Sequence, residues 1–290
     1  MMRYHQGEIN VQEKSCLRDE ASRVSKIIHD TIPEVAAQFI EQQVMLIIGV
    51  RNENDFVWAS VIYDESGFVK VVDAHTIFVS SLPLESDPVF AGIKVGHSIG
   101  ILAIEFATRK RMRVNGLITQ VHENGFLVKT REVYSNCPKY IQSRTFSGFK
   151  PMKRIKPRLA TQLDLEQMEM IRRSDTFFIA THHSESGADA SHRGGLPGFV
   201  HIVDQRTLVI QDYKGNAMFN TLGNIVENPQ TGLLFLDFEA GNLLQINGET
   251  TVQWVGSERS ICFNVRQIRN VIGGFPLRWT FESYSPSNPS

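Results

Sequence analysis

The sequence has few cysteines and no long apolar run, and both absences limit the kind of protein it encodes. Its three cysteines, Cys16, Cys137 and Cys262, are odd in number and widely spaced, which excludes a disulfide framework or a zinc knuckle of ordinary spacing. The longest apolar runs, at 44–48 and 233–236, are far shorter than the roughly 20 residues of a membrane-spanning helix. Because the first residues also lack the apolar stretch of a secretory signal, we expect a cytoplasmic protein with reduced thiols.

A strong charge of one sign is also missing. The formal net charge of the 290 residues is -1, so the chain has no overall field that would steer it toward nucleic acid or an anionic membrane. The hydrophobic fraction of 42% is sufficient for a real core, and the length allows roughly two domains of about 150 residues each. We therefore expect neither a nucleic-acid partner nor a membrane partner.

Common catalytic signatures are absent as well, namely a Gly-rich phosphate loop, a Gly-x-Gly-x-x-Gly fingerprint and a Gly-x-Ser-x-Gly elbow. Four histidines do lie close together in the second half: His182, His183, His192 and His201. Adjacent residues of a strand point to opposite faces, so His182 and His183 do not converge on one ion. We expect ordinary strand and loop histidines and no metal site.

An internal repeat is the first positive feature of the sequence. Four blocks of the first half recur in order in the second half: residues 44–48 at 176–180, 67–73 at 198–204, 100–106 at 232–238, and 115–116 at 247–248. Three of the pairs share the offset 176 − 44 = 132, and the pair beginning at Gly67 has the offset 198 − 67 = 131. One gap in a loop explains the difference, so the sequence predicts an internal duplication.

Short β-branched and aromatic runs, separated by Gly, Asp and Asn turns, predict strands in each half. In the first half they lie at 56–62, 68–72, 99–106, 111–121 and 126–134. A helical approach precedes the strands: Thr31 and Glu34 have capping-box spacing in the first half, and Asp164 is the predicted N-cap in the second. One helical approach per half followed by short strands predicts a mainly β (α+β) fold of two small antiparallel barrels.

The connection between the halves is strongly basic. Between residues 139 and 158 there are seven basic residues and no acidic one: Lys139, Arg144, Lys150, Lys153, Arg154, Lys156 and Arg158. We predict a first barrel with its leading helices at 1–146, a basic linker at 147–157, a second barrel at 158–284 and a tail at 285–290. Two interpretations of the basic segment stay open, a solvated inter-domain loop or a segment that faces a ligand phosphate.

The most informative motifs lie in the second half, in the segments 192–200, 212–216 and 220–225, which read HRGGLPGFV, DYKGN and NTLGNI. They resemble the flavin-binding half of the pyridoxamine 5′-phosphate oxidase-like family, in which an Arg-Gly-Gly-x-Pro-Gly-Phe block precedes a strand and a Gly-Asn turn leads into a Ser/Thr-Leu-Gly-Asn helix start. Companion motifs of this family lie in the first half, at 4–12, 58–60, 67–68 and 136–144. The resemblance therefore extends over nearly the whole chain.

This resemblance, to a tandem-repeat branch of the family, implies two split β-barrels that form an internal pseudo-dimer with FMN at their junction. The residues that it implicates in FMN binding are His192, Arg193, Gly194, Lys214, Asn216, Asn220, Thr221, Asn224, Cys137, Tyr140 and Arg144. The second barrel keeps the phosphate site in this interpretation, whereas the first contributes wall residues, so we expect one FMN per chain. In the wider superfamily an Arg-Lys pair stands where this chain has only Lys214, and Arg144 or another cation of the linker is the predicted substitute.

The needs of FMN assign roles to some of these residues. A phosphate requires cations, hydroxyls and free backbone N–H groups, which Lys214, Asn216, Asn220 and Thr221 offer in a turn that leads into a helix. The isoalloxazine ring requires a donor or a positive charge near its pyrimidine end, and Arg193 is the candidate there. Structural alternatives stay open, because glycines equally suit a plain turn and Asn220 with Thr221 equally suits a helix cap.

The function implied is an FMN-dependent oxidoreductase related to pyridoxamine 5′-phosphate oxidase, in which FMN transfers a hydride or electrons. Its electrons would come from a small-molecule substrate or donor, or from a separate reductase, and a homodimer is compatible with the resemblance. The alternatives are a non-enzymatic flavin carrier or sensor and a module that binds haem in the same cleft. No catalytic residue is identified at this stage.

Overall fold

A computed structural model describes residues 4–152 and 156–289 of the chain. Lys153 and Arg154 of the predicted linker and Ser290 of the predicted tail lie outside the described residues. The helices are α1 (Gln6–Lys14), α2 (Arg18–Val24), α3 (Glu34–Glu41), α4 (Leu165–Arg173) and α5 (Asn220–Glu227), with short 3-10 segments at Ser25–Ile27 and Phe90–Gly92.

Strands make up most of the remaining structure. In the first half they are β1 (Met45–Arg51), β2 (Val57–Tyr63), β3 (Val69–Asp73), β4 (Thr76–Val79), β5 (Ser98–Glu105), β6 (Lys110–His122), β7 (Gly125–Ser135) and β8 (Ser143–Phe149). In the second half they are β9 (Arg158–Ala160), β10 (Thr176–His183), β11 (Gly187–Gly194), β12 (Val200–Asp204), β13 (Thr207–Gln211), β14 (Gln230–Leu236), β15 (Leu243–Val255), β16 (Glu258–Val271) and β17 (Leu277–Ser283). All five strands predicted for the first half are confirmed.

The two halves have the same sheet topology. The strand order is β2-β1-β5-β6-β7-β4-β3 in the first half and β11-β10-β14-β15-β16-β13-β12 in the second, so each strand number rises by nine. All neighbours are antiparallel, and β9 is added to the second sheet beside β16. The predicted duplication and the predicted mainly β fold of two tandem barrels are thereby confirmed.

Local irregularities repeat together with the strands. The ladder between β6 and β7 shifts register at Asn115 and Gly116, and the ladder between β15 and β16 shifts at Asn247 and Gly248. These dipeptides form one of the repeated blocks of the sequence. An extra residue bends a long strand and increases its twist, which is the device that curls a sheet into a barrel.

Strand β1 is buried on both faces because it belongs to two cores. Leu46 and Ile48 point into the interior of the first barrel, whereas Met45 and Ile47 point into a separate core between the two barrels. Successive side chains of a strand alternate between its faces, so a strand covered on both sides needs a continuous apolar run. The first repeated block of the sequence is such a run.

Two glycines at equivalent positions allow the barrels to approach each other closely. A Cβ added to Gly100 would lie 2.5 Å from the Cα of Asp189 in β11, and one added to Gly232 would lie 2.7 Å from the Cα of Trp58 in β2. Each barrel thus uses the same glycine of β5 or β14 to contact the same strand of the other barrel. This arrangement is the predicted internal pseudo-dimer.

Of the two predicted helix caps, one is right and one is wrong. Asp164 caps α4, because its Oδ1 accepts a hydrogen bond from the backbone N–H of Gln167 at 2.8 Å. The predicted capping box of Thr31 and Glu34 does not form, since Pro33 is the N-cap of α3 and makes no side-chain cap bond. Proline disfavours the helical conformation of the residue that precedes it, so the helix starts after Pro33 rather than before it.

Helix α1 lies against the second barrel, although its sequence precedes the first. It crosses α5 at a pair of glycines: a Cβ on Gly7 would lie 2.3 Å from the carbonyl oxygen of Gly223. Val11 belongs to the core of the second barrel. The crossing brings the motif at 4–12 beside the motif at 220–225, two segments that are far apart in sequence.

The predicted linker begins inside a strand. Strand β8 pairs with β17, so residues 147–149 belong to a two-stranded sheet that joins the ends of both halves. The predicted domain bounds stay a prediction. None of the helices in the described part of the chain is long and apolar enough to cross a membrane.

Candidate functional site

A cleft with a cavity of about 100 Å³ lies at the junction between the two barrels. Strand β6 of the first barrel forms one wall, and β11 with the loop that leads into α5 forms the other. Strand β11 is buried along most of its length, yet its sequence GADASHRG contains no large apolar side chain. Buried polar side chains are more informative than exposed apolar ones, so β11 marks this junction as a candidate site.

Most of the residues that the sequence implicates come together in this cleft. Eight of them line it: Cys137, Tyr140, His192, Arg193, Gly194, Asn216, Asn220 and Thr221. The side chain of Lys214 is exposed beside the cleft rather than among the lining groups, and its carbonyl oxygen accepts a hydrogen bond from the hydroxyl of Tyr140 at 3.0 Å. This bond connects the segment after β7 to the loop before α5.

Arg144 lies outside the cleft. Its Nη2 donates to both carboxylate oxygens of Asp175, at 2.5 and 2.7 Å, and its guanidinium lies 4.6 Å from the centre of the Phe238 ring. The pair is buried and faces another cavity. The guanidinium of Arg144 is already bound by the carboxylate of Asp175 and packed against aromatic rings. It therefore does not lie beside Lys214, where a second cation was expected.

Asn224 also lies outside the cleft, one turn further along α5. Its amide donates to the hydroxyl of Thr181 at 2.9 Å, and its carbonyl oxygen contacts Nε2 of His5 at the same distance. Asn224 therefore connects α5 to β10 and to α1. Its observed bonds are structural ones.

Three arginines meet at the cleft, and sequence reasoning missed two of them. Arg111 and Arg113 are two residues apart on β6, so they lie on the same face of that strand, while Arg193 comes from β11. The sequence does indicate this pair, because Arg111 and Arg113 alternate with Met112 in a predicted strand. It became interpretable only when β6 and β11 were seen to face each other across the junction.

Arg113 is the buried centre of this cluster. Its Nη1 donates to Oδ1 of Asp189 at 3.1 Å and to the hydroxyl of Tyr134 at 2.9 Å, and its Nη2 donates to the hydroxyl of Ser191. Burial by itself lowers the pKa of Arg113, but Asp189 and Tyr134 outweigh it, and the pKa lies above its ordinary value. Arg113 therefore remains a permanent cation between the two barrels.

Arg111 lacks such compensation. Its Nη1 donates to Nδ1 of His192 at 2.9 Å, and it forms no salt bridge with any residue in the described part of the chain. Burial, together with the neighbouring Arg113 and Arg193, lowers the pKa of Arg111 to about 9. The pKa of Arg193 is lowered as well, by burial first and by Arg113, although Asp212 and Asp189 partly oppose this. The cleft therefore holds more positive charge than its own carboxylates neutralise.

His192 is neutral in this surrounding. Burial lowers its pKa well below the ordinary value, and Arg111 and Arg193 lower it further. Since Nδ1 accepts a hydrogen bond from Arg111, the ring hydrogen resides on Nε2, which is buried and has no partner within the described chain. His192 thus offers one unused N–H donor.

Several other buried polar atoms at the cleft have no hydrogen-bond partner in the described chain. They are Nε of Arg111, Oγ1 of Thr221 and Oδ1 of Asn136. Unpaired buried polar atoms are uncommon in native proteins and call for an explanation. Here most of them are donors in a positively charged cleft, a combination that suits an anionic ligand with several acceptor oxygens.

The first turn of α5 adds backbone donors. Asn220, Thr221 and Leu222 begin the helix and line the cleft, and the first N–H groups of an α-helix have no acceptor within it. The preceding residues Ala217 and Phe219 have positive φ angles of 62° and 63°. Such backbone is costly for a residue with a side chain and is retained where the surrounding structure or a ligand requires it.

Behind the cleft lies a cluster of three carboxyl groups, Glu8, Glu132 and Asp189, with Arg113 as their nearest buried cation. Burial, and then Glu132 and Asp189, raise the pKa of Glu8 to about 8, although a backbone bond from His5 opposes this. Burial and Asp189 raise the pKa of Glu132 to about 7. The cluster therefore carries protons at neutral pH.

The cluster is connected to both the cleft and α1. Asn220 lines the cleft and donates to Oε1 of Glu8 at 2.6 Å. His5 stacks on His183 with ring centres 3.8 Å apart, and burial together with His183 lowers the pKa of His5 to about 4. The contact of 3.5 Å between His5 and Glu8 is thus a contact between two uncharged groups near neutral pH.

Glu8→Gln is expected to flatten the dependence of stability on pH. Between its ordinary pKa of 4.5 and its value of about 8 in the fold, Glu8 is protonated in the folded chain and ionised in the unfolded chain. The free energy of unfolding therefore falls as pH rises through this window, and the variant loses this contribution. At about 1.4 kcal/mol per pKa unit the difference amounts to a few kcal/mol.

Urea denaturation of both proteins at several values between pH 5 and pH 9 measures this slope. Glu13→Gln, an exposed carboxyl on the same helix, is the matched control and should keep the slope of the parent. Equal slopes for the Glu8 variant and the parent would show that Glu8 is ionised inside the fold.

Among the described residues, no group of three or more His, Cys, Asp or Glu side chains is arranged to hold a metal ion. The four histidines that the sequence groups together are divided between β10, β11 and β12.

The fold and the cleft define a class, a duplicated antiparallel-barrel protein with a cationic site between its barrels. Residues 163–266 match the family model described as "Pyridoxamine 5'-phosphate oxidase". The match extends from just before α4 into β16 and so comprises most of the second barrel. A comparison with curated proteins finds no match.

Solved structures similar to this chain include HupZ of Group A Streptococcus, HutZ of Vibrio cholerae and a FAD-binding protein of Mesorhizobium loti. HupZ is 15% identical with a TM-score of 0.32, and the alignment covers 39% of this chain and 98% of HupZ. HutZ, described as a heme storage protein, is 12% identical with a TM-score of 0.30, covering 39% and 96%. The Mesorhizobium protein is 8% identical with a TM-score of 0.30, covering 40% and 99%.

Proposed function

We propose that the cleft between the barrels binds one FMN per chain and that the protein is an FMN-dependent oxidoreductase. The observation that carries the proposal is the surplus of unpaired donors and uncompensated positive charge around Arg111, His192 and Thr221. FMN combines a dianionic phosphate with a ring system rich in acceptor atoms, so both of its ends suit such a lining. Bound FMN supplies hydride or electron transfer, and the chain binds, orients and tunes it.

The phosphate end is assigned to the start of α5. Thr221 offers an unused hydroxyl, Asn216 and Asn220 offer amides, and the first turn of the helix offers backbone N–H groups and the positive end of its dipole. Lys214 is exposed beside this turn and adds a cation. Arg111 and Arg113 supply further, buried positive charge from the facing strand β6.

The ring end is assigned to β11 and the segment after β7. Arg193 lies next to the neutral His192, whose Nε2 donor is free, and both line the cleft together with Tyr140. A fixed cation and a neutral donor at the pyrimidine edge stabilise the negative charge that gathers there on reduction. We assign one end of FMN to the cavity of about 100 Å³ and the remainder to the open part of the cleft.

A spectroscopic titration of the purified full-length chain with FMN tests the binding proposal. We expect a shift of the flavin absorption bands that saturates at one FMN per chain, with weaker binding of riboflavin because it lacks the phosphate. A stoichiometry near two per chain, or neither a spectral change nor heat of association with excess FMN, would overturn the proposal.

Turnover separates the enzyme from the second candidate, a flavin-binding module without catalysis. Oxidation of a reduced nicotinamide or of another donor by the FMN-loaded protein supports the oxidoreductase, and full loading without turnover supports the module. A homodimer and a separate reductase as electron donor stay proposals. Haem binding through His192 is disfavoured, because Nδ1 accepts from Arg111 and Nε2 carries the hydrogen, which leaves no free lone pair for iron.

Thr221→Val is expected to weaken FMN binding about tenfold, the loss of one charge-assisted hydrogen bond, without lowering the stability of the ligand-free chain. The hydroxyl is buried without a partner, so its removal costs the unliganded fold nothing. Riboflavin affinity should be unchanged. Lys214→Ala should also weaken the binding of FMN more than the binding of riboflavin.

Thr176→Val is the matched control for this measurement. Thr176 is likewise buried with an unpaired hydroxyl, but it lies on β10 and faces a different cavity. Unchanged FMN affinity in both the Thr221 and the Lys214 variants would show that the phosphate does not bind at this turn.

A further inference from the structure

The internal pseudo-dimer has a second junction between its barrels, related to the first by the same pseudo-two-fold relation. There β15 takes the place of β6, and β2 takes the place of β11. A second cleft lies at this junction, with a cavity volume of about 820 Å³. It is larger than the arginine-lined cleft, and its volume is typical of small-molecule sites.

The cations of the first cleft have been replaced in the second. The offset of 132 places Leu243 where the first cleft has Arg111 and places Gln245 where it has Arg113. For β2 the offset is 131, because Gly100 pairs with Gly49 and the equivalent Gly232 pairs with Ala180. Ile62, which pairs with Leu46, therefore takes the place of Arg193, which pairs with Phe177. Val61 in the same way takes the place of His192. Arg111, Arg193 and His192 of the first cleft are thus replaced by leucine, isoleucine and valine in the second.

The buried charges of the second cleft compensate each other, and its two exposed charged lining residues, Glu85 and Lys156, are of opposite sign. Asp87 accepts from the hydroxyl of Ser60 at 2.6 Å and from the amide of Gln245 at 3.1 Å. Gln245 in turn accepts from Arg269 at 2.7 Å, and Arg269 lies 3.9 Å from Asp87. All four residues are buried, so a negative ligand would have to compete with Asp87 for Arg269, the buried cation of this network.

The walls of the second cleft are mainly apolar, and the lining also includes the exposed residues Leu84 and Met152. They are formed mainly by Val61, Ile62, Leu82, Leu84, Leu243 and Val271. The side chain of Leu84 is 58% exposed, although it faces a concave surface rather than open solvent. Two donors remain for a ligand as far as the described residues show: Nε of Arg269 has no partner among them, and the hydroxyl of Tyr63 has only the sulfur of Met152 at 3.1 Å.

We propose that this second cleft binds an uncharged, mainly apolar small molecule with a carbonyl or ether oxygen. The apolar walls exclude water from such a molecule, the compensated charges select against anions, and Tyr63 or Arg269 donates to its oxygen. The two junctions of one duplicated chain have therefore diverged into an anion-binding cleft and a cleft for neutral ligands. This site is independent of the one assigned to FMN.

Fluorescence titration of the full-length protein with Nile red, an uncharged apolar probe with a carbonyl oxygen, tests the proposal. We expect one saturable site, with a blue-shifted emission that excess FMN does not displace. Leu84→Glu should weaken binding by about tenfold or more, because it places a charge in the apolar wall. Leu243→Arg, which restores the charge of the first cleft, should do the same.

Leu165→Glu is the matched control, since Leu165 is an exposed leucine on α4, 77% exposed and remote from the cleft. It should leave Nile red binding unchanged, and Leu84→Glu should retain FMN binding. Because Leu84 is exposed, its variant reports on the site even where Leu243→Arg does not fold. Absence of saturable binding, equal effects of the Leu84 and Leu165 variants, or displacement of the probe by FMN would each overturn the assignment.

Discussion

Arg113→Leu is expected to destabilise the protein by about 3 to 5 kcal/mol and to abolish measurable FMN binding. Arg113 is 7% exposed and is the ion-pair partner of Asp189, which is 3% exposed. Its removal leaves a buried carboxylate beside Glu8 and Glu132 with no cation to compensate it. Urea denaturation of the ligand-free protein measures the first effect, and flavin titration measures the second.

The double variant Arg113→Leu with Asp189→Leu separates the structural role from the binding role. Removing both partners of a buried pair eliminates the uncompensated charge, so we expect the double variant to regain much of the lost stability. It should still fail to bind FMN, since the guanidinium of Arg113, which lines the cleft, is not restored. If the double variant were less stable than Arg113→Leu alone, the ion pair with Asp189 would not explain the role of Arg113.

Arg111→Met is expected to have opposite effects on the two properties. The guanidinium of Arg111 lies among other arginines without a carboxylate partner, and burial with that repulsion lowers its pKa to about 9. Replacing it with a neutral side chain of similar length should raise the melting temperature of the ligand-free protein. FMN affinity should fall by about tenfold to a hundredfold, the loss of one hydrogen bond to a charged group.

Arg206→Met is the control for this prediction, because Arg206 is an exposed arginine in the turn between β12 and β13. It should change neither the melting temperature nor the FMN affinity appreciably. A lower melting temperature for Arg111→Met, together with unchanged FMN affinity, would mean that Arg111 serves the fold rather than a ligand. Comparing the stability of the Arg111→Met and Arg113→Leu variants therefore shows which of the two arginines lowers the stability of the ligand-free fold.

Much of the fold was predictable because it rests on local patterns. The strands follow from β-branched and aromatic runs between turn residues, and the repeated blocks follow from duplication. The cap at Asp164 depends only on residues within one turn of α4. The capping box at Thr31 failed for an equally local reason, since Pro33 keeps the preceding backbone extended.

The candidate site was predictable only in part. Eight residues of the motifs do converge on the cleft, because most of them belong to β11 or to the loop and helix start after β13. Arg111 and Arg113 were missed because they lie on β6, outside the motifs that carry the resemblance. Arg144 was misplaced because its buried partner Asp175 lies 31 residues away in sequence, and no local pattern marks such a pair.

The sequence by itself determined that the chain is duplicated, that it is built mainly of short antiparallel strands, and that its second half contains a polar strand followed by a helix start. These properties follow from the order and spacing of neighbouring residues. Only the tertiary structure decided which side chains meet, because the packing of one barrel on the other brings β6 to β11 and α1 to α5. The same packing made two unequal clefts from one repeated unit, since substitutions on the facing strands left arginines in one and leucine and isoleucine in the other.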